Sequence, residues 1–95
     1  MDIFKKRIQN AQERLNQDEI DAIIITNNSN IFYLSGLTEF PSEERDARIV
    51  ITKKSAYILT DFRYTEAVLH KAPHLELIEI SYNNSLVQAI TSTLS

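Results

Sequence analysis

The residue types best suited to chemistry in this chain gather in three places. At the end of an apolar run, LTDFRYTEA, the residues Asp61, Arg63 and Tyr64 set a carboxylate, a guanidinium and a phenol close together. His70 and His74 stand four apart, a spacing that on an unbroken helix puts two imidazoles on one face and suits a metal. Between Leu37 and Asp46, the acids Glu39, Glu43, Glu44 and Asp46 surround Phe40 and Pro41.

Each group has a structural reading as well as a chemical one. Asp61 falls where a strand-like run gives way to a helix, and a carboxylate there accepts a bond from a free helical N–H. Tyr64 occupies the place where a capping box needs Glu or Gln, so that box is absent. Residues two apart do not face each other on a helix, yet an Asp just outside one can bend toward Arg63. Cap plus brace is the preferred reading. A catalytic Asp–Arg pair lacks a third group or a nucleophile, and a contact with another domain stays open. Pro73 breaks the helix between the two histidines and no carboxylate completes a metal motif; imidazoles beside a helix C-terminus serve its dipole. The acids of 37–46 do not follow the alternating ligands and central Gly of a calcium loop, and read as a solvated loop. A nuclease fold holding two metals would want an acid in the middle of the first strand, where Ile24 stands.

Composition narrows the classes further. Among 95 residues there is one glycine, Gly36, which excludes the G-x-G-x-x-G and G-x-x-x-x-G-K phosphate cradles. There is no cysteine, so disulfides, thiolate nucleophiles and Cys-ligated zinc are excluded, which suits a reducing compartment. A net charge of −3 argues against a nucleic-acid partner, and Lys5, Lys6 and Arg7 spread around a helix axis. The N-terminus has charges at every turn and no apolar signal core, and Ala22–Ile25 is far too short to cross a bilayer. A cytoplasmic single domain over 1–95, with no membrane and no nucleic acid among its partners, is the expectation.

The elements that must position these residues follow from periodicity. Phe4, Ile8, Ala11 and Leu15 make one stripe on a helix over 2–17, with Asp2 as a cap. The β-branched run 21–26 predicts a strand buried on both faces. Asn27–Asn30 supplies turn and cap chemistry for a short helix over 31–35, and Gly36 ends it in the left-handed region. A loop of about ten residues, long for a compact domain, spans 37–46. Runs at 47–52 and 56–60, joined by Lys53-Lys54-Ser55, predict a hairpin. A helix over 62–71 carries Tyr64 and Val68, with Ala72 continuing the stripe; a strand over 75–80 follows Pro73. Tyr82–Ser85 caps a last helix with Leu86, Ile90 and Leu94. The order α-β-α-β-β-α-β-α gives an α/β fold, a mixed β-sheet flanked by helices. The chain stops after an amphipathic helix, where another strand would normally follow, and so reads as truncated before a last strand.

The stretches NIFYLSGL (30–37) and LTDFRYTEA (59–67), in that order behind the opening RIQNAQERLNQDEIDAIIIT, resemble the N-terminal domain of the creatinase/prolidase/aminopeptidase P family. Each motif alone is loose; the ordered set covers nearly all of the chain and is more specific. The resemblance implies a ribonuclease-H-like mixed sheet at the front of an Xaa-Pro dipeptidase or aminopeptidase, a metallopeptidase that cuts the bond before proline. Two divalent metals, manganese or cobalt, are expected in a C-terminal pita-bread domain, held there by two Asp, one His and two Glu. That domain is absent here, so no catalytic residue, metal or cofactor is expected in this chain. Asn30, Tyr33 and Gly36 match the first family element, and Asp61, Arg63 and Tyr64 match its D-x-R-Y element as a structural motif. The implied partners are the protein's own C-terminal catalytic domain and further copies in a homodimer or higher homo-oligomer. The implied role is subunit association and shaping of substrate access. Glu39, Phe40, Pro41 and Glu43 are the candidate access loop, acting on a neighbouring subunit, against the plainer reading of a connection. The alternative function is a stand-alone or peptidase-dead binding module of the same fold.

Overall fold

An apolar stripe with a four-three-four rhythm makes the first element. The computed structural model describes residues 3–38, 47–81 and 83–94. Helix α1 (Ile3–Gln17) buries Ile8 and Leu15, with Ala11 packed beside them. It ends in a way its sequence does not advertise: Glu19 takes a left-handed φ of 56°, and the Ile20 N–H donates to Leu15 O at 2.9 Å. That six-to-one bond closes a helix C-terminus usually completed by glycine.

Strand β1 (Ala22–Ile25) leads into α2 (Asn28–Ser35), then β2 (Ala47–Thr52) and β3 (Ala56–Thr60). A 3₁₀ turn over Phe62–Tyr64 precedes α3 (Thr65–Lys71), followed by β4 (Glu76–Glu79) and α4 (Leu86–Leu94). The predicted helix over 62–71 is thus a 3₁₀ turn running into an α-helix. In the hairpin, Thr52 closes the turn: its Oγ1 accepts from the Ser55 N–H at 2.9 Å. At α4, Ser85 Oγ accepts from Gln88 N–H at 3.3 Å while Gln88 Oε1 accepts from Ser85 N–H at 3.0 Å, a reciprocal capping box.

The sheet runs β1-β2-β3-β4, antiparallel except for the parallel β3–β4 pair that α3 crosses over. The expected mixed sheet with flanking helices is what forms. Its registers align Ile25, Ile49, Ile58 and Leu77 as one row across all four strands. That row belongs to the larger core, where it meets Ile8 and Leu15 of α1, Ile31 and Leu34 of α2 and Val68 of α3. The opposite face is a thinner layer in which Val50, Leu59 and Ile78 meet Leu86, Ala89 and Ile90.

Two expectations change. Strand β1 is not buried on both faces: Ile24 is 43% exposed. The reason is position, because β1 is an edge strand and the second-face cluster draws nothing from it. On α4, Leu94 is 46% exposed while Ala89 is buried, so the helix packs through its middle. No described helix is long and apolar enough to cross a membrane.

Candidate functional site

The β3–α3 corner is built by Asp61. Held at an extended φ,ψ of −88° and 174°, it caps the 3₁₀ turn by accepting from Arg63 N–H at 2.9 Å. The same carboxylate takes a two-pronged ion pair from Arg63, Nε to Oδ1 at 2.9 Å and Nη2 to Oδ2 at 2.7 Å. Arg63 also lies 5.2 Å from the Tyr64 ring centroid. Both Arg63 prongs being occupied holds the guanidinium flat against this corner, with Phe62 pointing into solvent. The arrangement ties three donors of one residue, the Arg63 backbone N–H, Nε and Nη2, to one carboxylate, which is bracing geometry.

The pair's exposure sets its weight. The Arg63 side chain is 53% exposed and that of Asp61 28%, so Arg63→Ala is expected to cost under about 1 kcal/mol, in the range of solvent-screened pairs. A loss of several kcal/mol in urea unfolding would show that the guanidinium braces something more deeply buried. The hydrogen bonds from the Arg63 side chain hold the Asp61 carboxyl below its ordinary range against partial burial; the Arg63 backbone N–H and its charge add to this. A lowered folded pKa means that this stabilisation is present above the unfolded carboxylate value, about 3.9, and is lost as pH falls through the folded value. Asp61→Asn should therefore narrow the gap between neutral and acid stability.

The second element, NIFYLSG, is α2 from its third residue onward together with its C-terminal cap. Asn27 starts the helix, its Oδ1 accepting from Ser29 and Asn30 N–H at 2.8 and 3.2 Å. The end is the unusual part, because a helix leaves its last carbonyls without intrahelical partners. Here the Gly36 N–H donates to Phe32 O at 2.8 Å. Arg7 Nη1 of α1 donates to Tyr33 O at 2.8 Å. His74, between α3 and β4, donates from Nε2 to Leu34 O at 2.9 Å, which fixes its tautomer since a carbonyl only accepts. Buried Ser35 adds a bond from Oγ to Ile31 O at 2.6 Å and accepts from Leu37 N–H at 3.1 Å.

Aromatic packing locks these donors. The Arg7 guanidinium lies 4.0 Å from the Tyr33 ring centroid and 5.2 Å from that of Phe4. Phe4 stacks on His74 with centroids 6.2 Å apart and planes 15° from parallel. Gly36 has φ +80°, as its place in the sequence predicts, and it lies under the Phe4 ring. Thus Tyr33 and Gly36 share one cluster on the α1–α2 surface, while Asp61, Arg63 and Tyr64 share another at the β3–α3 corner. Asn30 stands at the start of α2, bound to the Asn27 cap.

The two histidines separate as Pro73 suggests: His74 is half-buried against α2 and His70 is exposed on α3. Among the described residues no group of three or more His, Cys, Asp or Glu could hold a metal ion. Glu39, Phe40, Pro41 and Glu43 lie outside the described residues, as does Asp2. Sequence reading does not find the roles of Arg7 and His74, because their carbonyl partners are 26 and 40 residues away.

Fold and site together define a small α/β domain with a mixed sheet, recognisable by its D-x-R-Y corner and its N-x-x-Y-x-x-G helix. The family model of the Creatinase/Prolidase N-terminal domain matches residues 7–95, and the chain belongs to that family. It is 31% identical over 88 residues to the uncharacterized peptidase YqhT of Bacillus subtilis (strain 168), covering 93% of this chain and 23% of that protein. The aminopeptidase P (Xaa-Pro aminopeptidase) structure from Streptococcus thermophilus superimposes with a TM-score of 0.75 at 25% identity, over 97% of this chain and 69% of that one. The Xaa-Pro dipeptidase from Bacillus anthracis gives 0.68 at 25% identity, over 96% of this chain and 24% of that one. This chain thus spans about a quarter of YqhT and of the dipeptidase.

Proposed function

We propose that this chain is the non-catalytic N-terminal domain of a cytoplasmic metallopeptidase that cuts the bond before proline. Its work there is subunit association and shaping of substrate access. The observation that carries the reading is the alignment of nearly the whole chain with Xaa-Pro peptidases of which it makes up only part. In this reading, as the family resemblance implies, the two divalent metals, manganese or cobalt, belong to a separate catalytic half. Hydrolysis of an amide at such a centre needs a metal-activated water, and no step of that chemistry is assigned to these residues. The segment from Glu39 to Glu43 is proposed as the access loop. Phe40 would cover the substrate's proline ring, and Glu39 or Glu43 would attract its α-amino group. Support comes from its length and its place directly after the fixed end of α2, since long loops on rigid scaffolds commonly carry such contacts.

Two assays test this. Residues 1–95 with added manganese should leave an Xaa-Pro dipeptide uncut; chelator-sensitive turnover above a heat-inactivated control would overturn the assignment of chemistry elsewhere. Joined to the peptidase half, Phe40→Ala with Glu39→Gln should lower kcat/KM about tenfold, a loss of about 1.4 kcal/mol of transition-state binding, with metal content and melting unchanged. Unchanged kinetics on several Xaa-Pro substrates would reduce the loop to a connection. A chain whose peptidase half binds no metal and cuts nothing would favour the binding-module alternative.

A further inference from the structure

Helix α4 has a surface unlike that of α1. No charged residue follows Glu79, although 24% of the chain is charged. On α1, by contrast, Lys5, Lys6, Glu13 and Arg14 all face solvent. Val87 is 73% exposed and Leu94 46%. Together with Thr91, which is exposed as well, they stand at steps of four and three and form one flank of the helix. Thr91 Oγ1 donates to Val87 O at 2.8 Å, so its hydroxyl is satisfied within the helix and its methyl group is left for the surface. Ile90, which packs against the second-face layer, borders this flank between Val87 and Leu94. An apolar flank without charge, continuous with a core layer, has the character of a contact surface, since such surfaces lose charge at their centre. Among the described residues α4 is the only helix in the layer on that face.

We infer that this flank seats a further element of the N-terminal domain, supplied by the longer protein beyond α4. That element lies beside α4 on the same face of the sheet and meets Val87, Thr91 and Leu94 with apolar, uncharged residues. The occupant follows from lengths. The N-terminal domain of the Xaa-Pro dipeptidase from Lactobacillus brevis superimposes with a TM-score of 0.79 at 16% identity, over 93% of this chain and 66% of that one. The likeness is one of fold, and about a third of that domain has no counterpart in residues 1–95. An element tethered to the end of α4 also meets the flank at a far higher effective concentration than a separate molecule does. The flank itself holds no charge that would steer or orient a partner arriving from solution. The inference rests on the reading of this chain as part of an Xaa-Pro peptidase. Its test reads stability and burial instead of hydrolysis, so either can fail alone.

The test compares residues 1–95 with the same protein carried on to the end of its N-terminal domain, and with the full-length protein. Val87→Glu and Leu94→Lys each put a charge on the flank with the sign that suits its end of the helix dipole, so neither should harm α4 itself. In residues 1–95 both variants should melt within a few degrees of the unsubstituted chain. In the longer domain each should lower Tm by at least about 8 °C, whatever its sign, because the charge is then buried without a partner. The chain has no cysteine, so Val87→Cys gives a milder second reading. With the unsubstituted protein as blank, its thiol should react with a soluble thiol reagent at least about tenfold more slowly in the longer domain than in residues 1–95. The full-length protein should match the longer domain. Melting and labelling that do not change in the longer domain would overturn the inference. So would changes seen only with the peptidase half attached, which would make that half the occupant. Changes already present in residues 1–95 at high concentration alone would make the occupant a second copy, and would overturn it too.

Discussion

Gly36→Ala should destabilise the chain by about 2–5 kcal/mol, from two separable causes. The first is conformational: φ is +80° at this position, and an L side chain in the left-handed region costs about 1–2 kcal/mol. The second is steric. A Cβ on Gly36 would stand 2.9 Å from Phe4 Cε2 and 3.0 Å from Cζ. A ring edge can often give way, but this ring is stacked on His74 and lies beside the Arg7 guanidinium. Moving it disturbs the donors that satisfy Tyr33 O and Leu34 O, so overpacking of roughly 1–3 kcal/mol adds to the backbone term. For a domain of this size the sum lowers Tm by roughly 10–40 °C. In a Phe4→Leu background the steric part should fall away and the backbone part remain. Equal losses in both backgrounds would show that Phe4 yields freely; a Tm change of only a degree or two would mean that neither cause operates.

Gly36 also marks what kind of information the sequence carries. Its left-handed cap, the Asn27 cap and the Thr52 hairpin turn are legible because each depends on residues only a few positions away. The Asp61–Arg63 pair is local too, and its cap-and-pair geometry can be anticipated from spacing two. Glu19 escapes notice because a non-glycine left-handed residue carries no compositional mark. The run Ala22–Ile25 looks the same in a central strand and an edge strand, and only the strand order leaves Ile24 in solvent. Arg7 and His74 escape for a third reason. Each is ordinary in its own helix or connection, and its role exists only once the chain brings three elements to the end of α2.

The largest single effect is expected in the sheet. Ile49 is fully buried on β2, between Ile25 and Ile58 in the row that crosses all four strands. The helices α1, α2 and α3 close over that face, and backbone hydrogen bonds hold both neighbouring strands. Little can move in to fill the space, so Ile49→Ala should cost about 3–5 kcal/mol, the upper part of the usual range. A domain of this size is stable by only about 5–14 kcal/mol, so the variant gives up a large share of the chain's stability. Val50, the next residue, is equally buried but faces the other way, toward α4. That layer is one short helix with Ala89 as its only buried residue, and it can settle inward. Val50→Ala should therefore cost less, about 1.5–2.5 kcal/mol for two lost methyl groups and a partly collapsed cavity. Ile24→Ala on the exposed face of β1 should cost under about 1 kcal/mol, because little apolar surface is withdrawn from water there. Urea unfolding of the three variants reads the order directly. If Val50→Ala proves the costliest, the thin layer under α4 carries the stability of the chain, and the three-helix face does not.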